Sequence, residues 1–247
     1  SDVYKRQAQW AANYIIEQIR NKAQHTSSPF VLGLPTGSTP LETYKELIRR
    51  HKTGEVSFKN VITFNMDEYV GLPEEHPESY HSFMWNTFFN HVDINPANVN
   101  ILNGNAPDLQ KECDEYEEKI RKAGGIDLFM GGVGEDGHIA FNDPSVADFH
   151  DPQTVKVVQL EEVCRMQQVH DGCFSRLADV PTHAMTLTVP ALMKSALRFC
   201  MAPARTKANA ARDMLEGPIG EQCPCTILRR TPGSYLYLDA DSSALLS

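Results

Sequence analysis

Short apolar runs that break into loops dense in Gly, Pro, hydroxyl or acidic residues, each followed by a stretch of helical spacing, constrain this chain most. Phe30 to Leu34 breaks into Pro35-Thr36-Gly37-Ser38-Thr39-Pro40, and Leu41 to Arg50 follows with the pattern of a helix. Val61 to Phe64 runs into Asp67 and Glu68, and Ile126 to Met130 runs into Gly131-Gly132. Val99 to Leu102, Val155 to Leu160, Ala196 to Met201 and Tyr235 to Leu238 read as further strands. Helices are expected around Ala8, Ala11, Ala12, Ile15 and Ile19, over Ser79 to His91, over Leu109 to Lys122 and from about Lys207 to Leu215. Strands that alternate with helices predict an α/β fold: a three-layer, mostly parallel open sheet with Rossmann-like topology. No repeat or low-complexity linker divides the chain, so residues 1–247 are expected to form a single domain.

In such a sheet a ligand sits beyond the carboxyl ends of the strands. The loops after Leu34, Phe64, Met130 and Met201 are therefore expected to converge. In the first, Thr36, Gly37, Ser38 and Thr39 precede a helix, where unpaired N–H groups, the helix dipole and the hydroxyls suit a phosphate; the same residues also make an ordinary helix cap. In the second, Asp67 follows a strand among aromatics and could act as a desolvated general base, although a solvated acidic turn is the commoner reading of such a pair. The third, Met130 to Pro144, places His138 between Asp136 and Asp143, candidate carboxylates for fixing its tautomer. No Ser or Cys nucleophile stands beside His138, which suits it to proton transfer with a substrate oxygen. Lys207, near the start of a helix, could reach a phosphate bound at Thr36 to Thr39 or could simply be solvated.

Composition excludes several classes of function. The net charge of −9 is spread over short segments with no basic stripe, which argues against nucleic acid as a partner while leaving a small anion possible. No apolar run approaches the ~18 residues of a membrane span, and Ser1 to Gln7 is not a signal peptide. Six cysteines without a secreted framework read as reduced structural thiols in a cytoplasmic protein. Cys223 and Cys225 stand too close together for the usual metal or redox spacing. The chain does not open with Met, which reads as a fragment or a processed chain.

In this order the loops resemble the glucosamine-6-phosphate deaminase family. The matching stretches are Phe30 to Pro40, Val56 to Pro73 with Asn65-Met66-Asp67-Glu68-Tyr69, His76 to Tyr80, Leu102 to Asp108, and Leu128 to Pro144. The related 6-phosphogluconolactonases share the Gly-Ser-Thr-Pro turn and the Asp-Gly-His element but differ from Ile139-Ala140-Phe141-Asn142 after it.

The resemblance implies conversion of glucosamine-6-phosphate and water to fructose-6-phosphate and ammonium, by ring opening, aldose–ketose isomerisation and deamination. A reaction that consumes water in this way also falls among the hydrolases. Asp67 is implied as the base that moves a proton between C2 and C1, and His138 as the acid that opens the ring. Asp136 and Asp143 are implied to orient His138, and Thr36 to Thr39 with Lys207 to hold the phosphate. No cofactor and no metal is implied, and the partner is a small amino-sugar phosphate; assembly into a homo-oligomer is left open.

The chain departs from the family pattern in three places. Asp143 stands where Glu is usual, and one methylene less would leave its contact with His138 either longer or mediated by water. Where an Arg clamp for the phosphate is usual the chain has His170-Asp171-Gly172-Cys173-Phe174, so the clamp is either missing or supplied by Arg165 from the same segment. From Ser145 onward it resembles a divergent branch, and no allosteric site pattern appears in Ser145 to Lys156. The alternatives on the same fold are a lactone hydrolase of the 6-phosphogluconolactonase type and a sugar-phosphate sensor without catalysis.

Overall fold

The fold was analysed in a computed structural model that describes residues 2–247. Helix α1 (Asp2–His25) starts earlier than its apolar spacing suggests and buries Ala8, Ala11, Ala12, Ile15 and Ile16 along one stripe. Strand β1 (Phe30–Leu34) follows, then α2 (Leu41–Lys52), β2 (Val61–Asn65), β3 (Asp67–Tyr69) and α3 (Tyr80–Thr87). The expected helix from Ser79 to His91 is thus split: Ser79 caps it by accepting from Ser82 N–H, and it breaks at Phe88 before a 3-10 turn over Phe89–His91. Next come β4 (Val99–Asn100), α4 (Leu109–Lys122), β5 (Leu128–Gly132), β6 (Val155–Gln159) and α5 (Glu162–His170). The chain closes with β7 (His183–Leu187), α6 (Val189–Met193), β8 (Leu197–Ala202), α7 (Ala208–Glu216) and β9 (Ser234–Leu238).

Six strands form one sheet in the order β4-β2-β1-β5-β8-β9, and every pairing in it is parallel. Strand faces alternate as a two-residue period requires. Leu32, Leu34, Leu128 and Met130 pack against Ile15, Tyr44, Leu47 and Met84 on one face. Val31, Phe64, Phe129 and Cys200 meet Tyr116, Ala210 and Met214 on the other. The sheet runs outward from β1 in one direction and from β5 in the other. The crevice between their carboxyl ends is therefore the topological switch point, where open α/β sheets bind ligands.

A second sheet, β3-β7-β6, is antiparallel and was not distinguished by local sequence pattern. The run Val155 to Leu160 belongs to it rather than to the parallel sheet. Only Met66 separates β2 from β3, and its backbone joins the two sheets: its N–H donates to Leu34 O at 3.2 Å and its carbonyl accepts from Leu187 N–H at 2.9 Å. Asp67, paired with Thr186, thus opens the second sheet at the carboxyl edge of the first.

Candidate active site

The loop after β1 keeps its polar groups free. Helix α2 has no side-chain cap, and the hydroxyls of Thr36, Ser38 and Thr39 make no hydrogen bond among the described residues, so the ordinary-cap reading of this turn does not hold. Gly37 takes φ of +102°, a conformation open to glycine at little cost. From below, the buried Tyr44 hydroxyl donates to Pro35 O at 2.5 Å and holds the turn on α2. A Cβ at Gly132 would stand 3.8 Å from Thr39 Cγ2, so the loop after β5 abuts this one across the switch point.

Asp67 is not in a solvated turn. It is 7% exposed and Glu68 is 5% exposed, because both lie in β3 beneath neighbouring chain. Burial, then the neighbouring Glu68 carboxylate, push the Asp67 carboxyl up to about 8, against a smaller opposing pull from His138. A carboxylate in this environment is a far stronger base than one in water.

His138 lies flat on its own loop. A Cβ at Gly134 would fall 2.0 Å from the imidazole, so that position requires glycine. Asp136 Oδ1 contacts His138 Nδ1 at 2.6 Å and accepts the His138 N–H at 3.0 Å; Asp143 Oδ1 stands 3.3 Å from the same Nδ1. Both carboxylates address Nδ1, which leaves Nε2 for the cleft. Burial alone would pull the His138 pKa down, but the bond to Asp136 and the charges of Asp136 and Asp143 outweigh it and the net shift is upward. The Asp143 contact is direct and is longer than that of Asp136. Asp136, His138 and Asp143 also offer ligand atoms within 4.8 Å of one another, a set able to hold a cation.

Lys207 ends a 3-10 turn and precedes α7, where a cation opposes the positive end of the helix. It has no carboxylate within 4.0 Å among the described residues; desolvation lowers its pKa, and Glu135 and Asp136 partly offset this. It is close enough to His138 for its charge to oppose protonation of the imidazole. Among the described residues two non-glycine residues take positive φ, Ala140 at +51°, two after His138, and Ala204 at +74°, three before Lys207. Backbone strain thus concentrates at the two cationic groups of the site.

Arg165 is placed differently. Its Nε donates to Pro181 O at 3.1 Å and its Nη2 to Leu177 O and Val180 O at 3.0 and 2.8 Å. Three donors thus brace the segment before β7, and the expected phosphate clamp is instead a strut. Its neighbour Cys164 approaches Asp143 Oδ2 at 3.9 Å, with its thiol pushed up to about 12 by burial and nearby carboxylates. Cys223 and Cys225 are buried free thiols 3.6 Å apart, packed under Gly137. Sequence pattern also missed Gly134 and Glu68. Only the density of glycines before His138 and the carboxylate beside Asp67 hinted at them.

An open parallel sheet whose switch point carries a free phosphate-type loop, a buried carboxylate and a carboxylate-held imidazole defines an acid–base enzyme of small anionic substrates. The model for "Glucosamine-6-phosphate isomerases/6-phosphogluconolactonase" matches residues 4–237, and the chain belongs to that family. It is 44% identical to a glucosamine-6-phosphate deaminase of Parabacteroides distasonis, over 98% of this chain and 88% of that one. It is 48% identical to a deaminase of the same name from Aeromonas hydrophila, over 95% of this chain and 86% of that one. With glucosamine-6-phosphate deaminase 1 of Bos taurus the identity is 46%, over 98% of this chain and 82% of that one. A solved structure described as a monomeric glucosamine-6-phosphate deaminase superposes with a TM-score of 0.91 at 36% identity, covering 98% of this chain and 96% of that one. A 6-phosphogluconolactonase from Trypanosoma cruzi shares the fold, with a TM-score of 0.77 at 19% identity, over 99% of this chain and 94% of that one.

The grouping with hydrolases does not stand. The relatives at 44–48% identity are named deaminases. A deamination coupled to an aldose–ketose shift turns on moving a proton between carbons, not on driving an activated water against a stable bond. No helix among the described residues is long and apolar enough to cross a membrane.

Proposed function

We propose that this chain converts glucosamine-6-phosphate and water to fructose-6-phosphate and ammonium. The observation that carries the reading is the pairing, at one switch point, of a buried carboxylate raised to about 8 with an imidazole whose Nδ1 faces two carboxylates. Moving a proton between adjacent carbons needs one base near both; opening the pyranose needs a separate acid at the ring oxygen.

In this reading Thr36, Gly37, Ser38 and Thr39 receive the phosphate with Lys207. Lys207 has no carboxylate within 4.0 Å among the described residues, and an anion would relieve its position at the head of α7. His138, charged and held by Asp136 and Asp143, gives its Nε2 proton to the ring oxygen as the bond between C1 and that oxygen breaks, and the proton released by the C1 hydroxyl returns through water to Nε2, which restores the charged imidazole. Asp67 then takes the proton from C2, leaving an enolamine, and returns it to C1. The resulting C2 imine takes up water and releases ammonium, leaving the ketone of fructose-6-phosphate. Every proposed group comes from one chain, so the chemistry requires no homo-oligomer; sedimentation velocity decides whether copies associate. Six free thiols suit a reducing, cytoplasmic setting.

Ammonium release from glucosamine-6-phosphate by purified protein, followed with a coupled dehydrogenase between pH 6 and 9, tests the reading. No release at any pH in that range refutes it.

A further inference from the structure

Neighbouring residues on a strand point to opposite faces, so Asp67 and Glu68 serve different surroundings from one short strand. The Glu68 carboxylate accepts three backbone N–H bonds: Tyr69 and Tyr80 N–H on Oε1 at 2.9 and 3.0 Å, and His81 N–H on Oε2 at 2.9 Å. Tyr80 and His81 are the first two residues of α3, whose leading N–H groups have no partner within the helix. A buried acceptor with three donors and no proton to give has the bonding of an ionised carboxylate, set at the positive end of a helix.

Building on the deaminase reading, we propose that Glu68 is a positioning residue for Asp67: by tying β3 to the N-terminus of α3 it fixes where the base stands relative to the opened sugar. The bonds leave β3 little freedom to slide. The other side of β3 is held by the Asp67–Thr186 and Glu68–Met185 pairings with β7, so the strand is clamped from two directions. Burial raises the Glu68 carboxyl above its usual range and the three N–H bonds pull it partly back down; in its ionised form it sets a negative charge beside the base. The other titratable groups close enough to Asp67 to feel its charge are His138 from the loop after β5, Tyr44 of α2, Tyr69 of β3 itself, Tyr80 of α3 and Tyr116 of α4; Glu74 acts on Glu68. Of these, Glu68 contributes most to raising the Asp67 carboxyl after burial itself.

The experiment compares wild type with Glu68→Gln and Glu68→Asp. It uses carbon-13 NMR titration of aspartate-labelled protein, with the Asp67 signal assigned by its loss in Asp67→Asn, together with ammonium-release kinetics. Gln keeps the shape but removes the charge and turns an N–H donor toward the His81 N–H. The Asp67 midpoint is expected to fall by about one pH unit. In the same variant kcat should fall about tenfold while KM stays within about twofold, because only the transition-state geometry is disturbed. Asp keeps the charge but is one methylene short, so its Asp67 midpoint should stay near wild type while kcat falls. A folded Glu68→Gln protein whose Asp67 midpoint does not move, or a Glu68→Asp protein with wild-type kcat, overturns the proposal. If Glu68→Gln does not fold, Glu68→Asp alone decides. A wild type that releases no ammonium ends the substrate reading, and the NMR titration then decides the role of Glu68.

Discussion

Replacing Asp67 by Asn should destroy activity and stabilise the fold, more so as pH rises. In the folded protein the Asp67 carboxyl keeps its proton up to about 8, against 3.8 ordinarily. The folded state therefore binds more protons than the unfolded chain between those values, and wild-type stability falls as pH climbs through that window. Above about 8 the contribution is constant. Each pH unit of the window is worth about 1.4 kcal/mol. Between pH 5 and 8 the ceiling is thus about 4 kcal/mol, and relaxation with water entry reduces it to roughly 2. Asn carries no charge at any pH, so the melting temperature of the variant should gain on wild type across that range. For a chain of this size, 2 kcal/mol corresponds to roughly 4–8 °C. Scanning calorimetry of both proteins from pH 5 to 9 measures the gap, and ammonium release should fall by about 10²–10⁴-fold with KM little changed. A gap that is flat in pH would mean that Asp67 titrates like an exposed carboxylate, and the account of the base would be wrong.

Other outcomes follow from distances in the site. Asp136→Asn and Asp143→Asn should each move the alkaline limb of the pH–rate profile to lower pH, because either carboxylate helps His138 keep its proton. The Asp136 effect should be the larger, given 2.6 Å against 3.3 Å at Nδ1; the reverse ranking would count against the geometry. Gly134→Ala would put a methyl 2.0 Å from the His138 ring, and displacing the imidazole should lower kcat by about 10²-fold at nearly unchanged stability. Lys207→Met should raise KM about tenfold with kcat nearly preserved, as loss of one phosphate contact requires, and should not lower the melting temperature. A KM unchanged by that substitution would remove Lys207 from the phosphate site.

The parallel architecture was legible because each strand announces itself locally. Phe30–Leu34 and Val61–Asn65 are apolar runs bounded by turn residues, and Leu109–Lys122 carries its helix signals within its own length. The Gly, Asp and His loop after β5 was legible for the same reason. The second sheet was not, since Asp67–Tyr69 has only three residues and pairs with His183–Leu187, far along the chain.

The sequence by itself determined which side chains the loops bring to the carboxyl edge of the sheet, because strand and helix periodicity are properties of neighbours. Tertiary structure alone decided what those side chains can do. Met66 carries the chain from one sheet into the other, and that step turns an acidic pair resembling a solvated turn into two buried carboxylates. The tertiary fold also places the Arg165 guanidinium on carbonyls near Val180, while Lys207 has no carboxylate within 4.0 Å among the described residues. Burial and charge are set by contacts between distant segments, and proton affinity follows burial and charge rather than residue type.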